Sequence, residues 1–298
     1  MKKAAVKKAP RLTPVVPKAQ AKLSPVWRLT QRTALLFWRH KQNFIGITLI
    51  YGLLIIILAQ GLANADVSRL KAQLSGTNNG PTSIGSSLTI LASLVGSSSS
   101  PATGAAGAYQ FFIGLIASLA IIWALRQTSA GTVFKIRDAF YRGMSPLIPF
   151  VLILLFIGLQ LLPIAIGSAL YGIVITQGIA VNGFEKTVAA VVFGGLVLAS
   201  LYSIASSIFA LYIVTLPDMT PLKALRSAKQ LVKGRRWTAL RKILFLPLVL
   251  LVLGSLIMVP FIIWAAPAAK YVFFILSVTS LVAVHGYLYN LYRELLDA

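Results

Sequence analysis

The chain has 298 residues, 57% of them hydrophobic and 11% charged, with 28 Lys+Arg against 6 Asp+Glu and a formal net charge of +22. Soluble domains carry about 25% charged residues, so this balance excludes an ordinary water-soluble fold and leaves room for several membrane spans. The chain has no Cys, which excludes disulfides, Fe–S clusters, thiolate metal sites and cysteine nucleophiles.

Residues 1–23 form a Lys/Pro/Ala-rich stretch that cannot bury enough apolar surface to fold alone, and they read as a disordered basic cytoplasmic tail. The simplest role for its charge is to orient the first span, with capture of a ribosome, nucleic acid or partner as the alternative. Ser24-Pro25 opens a short amphipathic stretch in which Trp27 and Trp38 suit the headgroup zone. The first span follows at 44–63, 20 residues without a charge and about 30 Å long as a helix. Ala63-Asn64-Ala65 has the form of a signal-peptidase site, but the 43 residues before the run are long for a signal peptide, so the span is expected to be retained. Residues 64–106 are rich in Ser, Gly, Thr and Asn and read as a flexible outer loop.

The second span is expected at 109–125. The basic segment after it, Arg126–Ser145, is expected to hold a second surface helix, capped by Thr132, with Val133, Ile136, Ala139 and Phe140 on its apolar face. From Leu147 to Val181 no residue is charged, and Pro163 and Gly167 offer a break. One span, 147–167, with an outer interfacial segment behind it, keeps the next basic cluster inside; two spans would place it outside. The fourth span, 188–215, carries Gly195, Ala199, Ser203 and Ser207 four apart, a small-residue stripe suited to close helix packing within the chain or, as the alternative, across a homodimer. The fifth and sixth spans, 243–265 and 271–292, form a hairpin, and 293–298 is a short cytoplasmic tail.

Between the fourth and fifth spans lies TPLKALRSAKQLVKGRRWTALRK, Thr220–Lys242. Thr220 can cap a helix whose first residue is Pro221, and Leu222, Leu225 and Val232 recur at helical spacing. Lys223, Arg226, Lys229, Lys233, Arg235 and Arg236 fall within 14 residues and are the candidate contacts to anionic lipid. The expected fold is therefore all-α and membrane-integral, with about six spans as three hairpins, each preceded by a basic amphipathic helix. This arrangement puts 24 of the 28 basic residues on the side of both termini, which assigns that side to the cytoplasm; the expected location is the inner membrane of a prokaryote.

The segment TPLKALRSAKQLVKGRRW resembles the recurrent segment of a family of six-span bacterial membrane proteins related to the membrane domain attached to some glycerophosphodiester phosphodiesterases. The resemblance covers the layout of Trp123–Tyr292 and the motif of Thr220–Trp237 only. It implies a membrane domain without the hydrolytic domain, so no activity comes with it.

Chemistry finds little to work with. The acids Asp66, Asp138, Glu185, Asp218, Glu294 and Asp297 fall at loops and span ends; Glu294 and Asp297 alone share a helical spacing, at an end expected to fray. No metal, cofactor or catalytic residue is expected. His285 is the one ionisable residue within a span, and the expected partner of its neutral imidazole is a Ser, Thr or carbonyl on a neighbouring helix. Gln160, the serines of the fourth span and Asn290 are expected to join helices rather than line a path for a polar solute. The leading reading is a non-enzymatic envelope scaffold or lipid-organising protein, with anionic lipids, protein partners or a second copy as its contacts and no nucleic acid. The alternative is a transporter or lipid-translocating protein with a cavity between the repeats.

Overall fold

The computed structural model describes residues 24–59, 105–178 and 182–297. The expected tail (1–23), the end of the first span, the signal-peptidase-like tripeptide and most of the expected outer loop lie outside the described residues. Those described form ten helices: α1 (Val26–Arg39), α2 (Lys41–Ala59), α3 (Ala105–Ser129), α4 (Ile136–Gly143), α5 (Leu147–Thr176), α6 (Gly183–Ser207), α7 (Ala210–Ile213), α8 (Pro221–Leu231), α9 (Arg236–Trp264) and α10 (Ala266–Asp297). Six of them, α2, α3, α5, α6, α9 and α10, are long and apolar enough to cross a membrane. The chain is an all-α, multi-pass membrane protein.

The short amphipathic helices α1, α4 and α8 each precede a hairpin of two long ones. Because each joins the end of one hairpin to the start of the next, or opens the first, all three lie at the same end of the bundle. This basic end is also where the packing is densest. Ile121, Ile122, Ala124 and Leu125 of α3 are sealed against Phe209 to Val214, and against Tyr287, Leu288 and Leu291 of α10. Helices α3 and α10 form the centre, each in contact with the other and with α2. The α5–α6 hairpin stands at the periphery, with only 11% of each span buried against 50% for α3. Its Ile148, Leu155, Leu159, Val191 and Leu198 face outward, as residues solvated by lipid can.

Two expected boundaries move. Pro163 does not break the third span: α5 runs unbroken for 30 residues, about 45 Å, and enters a turn at Gln177. A span tolerates such a proline when local adjustment satisfies the freed carbonyl. At the other end, α10 continues through the expected tail to Asp297 because Leu295 is buried against the bundle and the Glu294 side chain, nearly buried, is tied to Lys242.

Candidate functional site

The basic end carries the three amphipathic helices, and α8 shows how they are made. Thr220 Oγ1 accepts the Lys223 N–H at 3.4 Å, and Pro221 occupies the first helical position. The face turned to the bundle is Ala224, Ala228 and Val232, with Leu225 partly buried beside them; of the row read from the sequence only Leu222, 69% exposed, turns away. Alanine lets the α8 backbone approach α6 and α7 closely, and a leucine on that face would hold it away. Lys223, Arg226, Lys229 and Lys233 are exposed, and their side chains have no hydrogen-bond or ion-pair partner among the described residues.

The Thr220–Lys242 stretch is not one surface helix. Gly234, at φ 83, turns the chain, Arg235 caps the next helix, and Arg236 is the first residue of α9. Arg236 lies 5.1 Å above the Tyr202 ring and donates to its hydroxyl at 3.2 Å, which ties α9 to α6. Of the six candidate lipid contacts, Lys223, Arg226, Lys229 and Lys233 stand on or beside α8, whereas Arg235 and Arg236 belong to the turn and the start of a span.

The other two surface helices use the same device. In α1, Leu29 and Thr33 are buried, and Asn290 of α10 donates to Thr33 Oγ1 at 2.9 Å. In α4 the buried residues are Ala139 and Gly143. Thr132 does not cap α4; Lys135 holds that position, and the Thr132 hydroxyl bonds the Gln127 carbonyl at 3.1 Å and its side-chain amide oxygen at 2.6 Å. Val133 lies before the helix and is wholly exposed, so it takes no part in the apolar face. Trp27, Trp38 and Trp237 project from the basic end, as in the aromatic belts of membrane proteins.

Beneath this collar lies a polar cluster. His285 Nδ1 meets the Tyr212 hydroxyl at 3.2 Å, so the partner is a phenol rather than the expected Ser, Thr or carbonyl. Tyr212 also stacks on Tyr292, with ring centroids 6.0 Å apart. Arg126, at the end of α3, donates to the Thr215 carbonyl at 2.6 Å, to the Tyr212 carbonyl at 3.3 Å and to the Thr215 hydroxyl. These acceptors are all neutral, so the bonds fix the guanidinium without cancelling its charge. The sequence assigns Arg126 to the basic surface segment after the second span rather than to the span itself, and Tyr212 carries no signal there; a basic residue at the boundary of an apolar run is the available signal.

A second polar link closes the same end. Lys242, in the second turn of α9, donates to Glu294 at 3.1 and 3.2 Å, and both side chains are nearly buried. Glu294 also accepts the Ser24 backbone N–H, while the Tyr287 hydroxyl donates to the Lys242 carbonyl at 3.0 Å. Glu294 is thus held in place and does not sit on a frayed end.

The small-residue stripe divides in two. Ser207 is buried and accepts a bond from Gln160 of α5 at 2.8 Å, and Ser203 is half-buried. Gly195 and Ala199 are exposed, and a Cβ built on Gly195 meets nothing within 4 Å. Among the described residues, no group of three or more His, Cys, Asp or Glu side chains is placed to hold a metal ion. No family model matches the chain, and neither a curated protein nor a solved structure matches it.

Proposed function

We propose that the chain is a cytoplasmic-membrane protein that gathers anionic lipid beneath it and serves as an envelope scaffold, with both termini in the cytoplasm and no catalytic role. The observation that carries this reading is the set of exposed cations on or beside α8, namely Lys223, Arg226, Lys229 and Lys233, whose side chains have no partner among the described residues, at the end that also carries α1 and α4. Each basic group near an anionic surface is worth about 1 kcal/mol, and the attraction fades over a Debye length of about 8 Å at physiological salt. Four together outweigh any single contact.

The test replaces Lys223, Arg226, Lys229 and Lys233 with Gln, which leaves Ala224, Ala228 and Val232 to seat the helix. Arg235 and Arg236 stay, because they belong to the framework. The variant should keep fewer anionic lipids than the parent in native mass spectrometry, and its lipid count should depend less on salt. An unchanged lipid complement in correctly inserted protein defeats the reading and leaves the charges a purely topological role.

A second reading, translocation of a polar solute or lipid, draws on Gln160 Oε1 and Ser200 Oγ, which are buried without a bonding partner among the described residues. Such atoms are costly in a bilayer and are worth their cost where something polar passes. Proteoliposomes that move fluorescent phospholipid between leaflets, and lose that ability in Gln160→Leu, would favour it over the scaffold.

A further inference from the structure

A cavity of about 630 Å³ opens at the basic end, where α3 meets the α4–α5 and α7–α8 connections. Its polar wall is formed by Arg126, Arg142, Ser145, Asp218 and Thr220, and its apolar wall includes Trp123 and Leu216. Arg126 is held there by the neutral acceptors of Tyr212 and Thr215. Arg142 is exposed, and neither it nor Asp218 has a salt-bridge partner among the described residues. The first turns of α5 and α8 also border the cavity, through Pro146 and Thr220, and add partial positive charge.

From this arrangement we infer that the cavity binds one phosphate diester between Arg126 and Arg142. Guanidinium groups match phosphate oxygens in shape and charge, and a fixed one spends no ordering entropy when it binds. Two arginines against the single carboxylate of Asp218 leave one excess positive charge. That suits a singly charged diester and disfavours a polyphosphate, whose further charges would meet Asp218. The apolar wall suits the glycerol and first methylenes of a phospholipid, while the opening at the membrane surface also admits a soluble phosphate ester. None of the four collar cations on α8 lines this cavity, so the site stands whether or not the collar gathers lipid.

The absence of cysteine allows a direct test, because Ser145→Cys places a single thiol on the cavity wall. The full chain is purified in a phosphate-free maltoside detergent and labelled with a maleimide while phosphatidylglycerol or inorganic phosphate is titrated in. At ten times Kd the free fraction falls by 1 + [L]/Kd, so labelling should slow about tenfold. Slowing by phosphatidylglycerol alone assigns the site to a membrane lipid; slowing by inorganic phosphate as well assigns it to phosphate from either source. Arg142→Gln, at an exposed side chain that the fold does not use, should abolish the slowing without lowering the melting temperature. The collar variant should retain it. Absence of slowing by either probe, or equal slowing in Arg142→Gln, overturns the inference.

Discussion

The buried His285 is matched by a hydroxyl 73 positions away, and the pairing shows what a single residue contributes here. A polar bond between helices in a membrane is worth about 0.6 kcal/mol on average and at most about 1.7. Tyr212→Phe and His285→Ala should each lower stability, and the double variant should lose less than the sum by a coupling energy of that order. Reversible unfolding in mixed micelles measures it; additive losses would mean that the 3.2 Å contact contributes nothing. The sequence singles out His285 because an ionisable residue within an apolar run is conspicuous. Tyr212 is not conspicuous, since its ring reads as apolar and its hydroxyl goes unnoticed. The pairing of Lys242 with Glu294 escapes notice for another reason: each lies at the margin of a span, where charged residues are expected to be solvated.

At the scale of elements, two glycines decide how closely the surface helices dock. A Cβ on Gly143 would lie 3.1–3.3 Å from backbone atoms of Leu119 and Ala120, so nothing in α3 can rotate away. Gly143→Val should lift α4 from α3 at a cost of about 1–3 kcal/mol, making amide exchange in α4 roughly 5–150-fold faster. Unaltered exchange would show that α4 is seated by other contacts. Gly286→Ala should be milder, because its nearest obstacle is the edge of the Phe37 ring, which can turn aside. Hydropathy reveals the long helices, and Thr220-Pro221 reveals the start of α8. It does not reveal the division at Gly234 or the cap of α4, because both depend on backbone turns that neighbouring elements fix. The Ser24-Pro25 and Thr220-Pro221 pair illustrates the limit: Thr220 caps α8, while in α1 Pro25 itself holds the cap position and the Ser24 N–H goes to Glu294.

For the molecule as a whole, the alternation of apolar spans and basic segments was the most legible feature. It also fixes the expected orientation, which two single cysteines can check. Lys186→Cys, near the start of α6, and Gln230→Cys, on α8, are both exposed and should react with impermeant maleimide from opposite sides of the membrane. Reaction of both from one side contradicts the arrangement of termini proposed above. Which spans would be central was harder to read. The most hydrophobic ones, α5 and α9, are only 11% and 17% buried, whereas the less hydrophobic α3 and α10 are 50% and 44% buried. In lipid the burial rule of soluble proteins loses its force: the greasiest faces can stay outside, and Tyr, Ser and Ala gather where helices meet.

The seat of α1 has a consequence for how the chain is made. Thr33 bonds Asn290 across 257 positions, Ser24 bonds Glu294 across 270, and Phe37 packs over Gly286. Every one of these partners lies in α10, which is synthesised after the other helices described. Apart from the edge-on contact of Phe37 with Phe44 of α2, α1 therefore lacks its docking surface until α10 has been inserted, and rests on the bilayer until then. Its exposed tryptophans and arginines suit that wait, because they hold an undocked helix at the headgroup level. Closure of α1 onto α10 then completes the basic end of the bundle, and a nascent protein stalled before Asn290 would expose the α10-facing side of α1 to quality-control proteases.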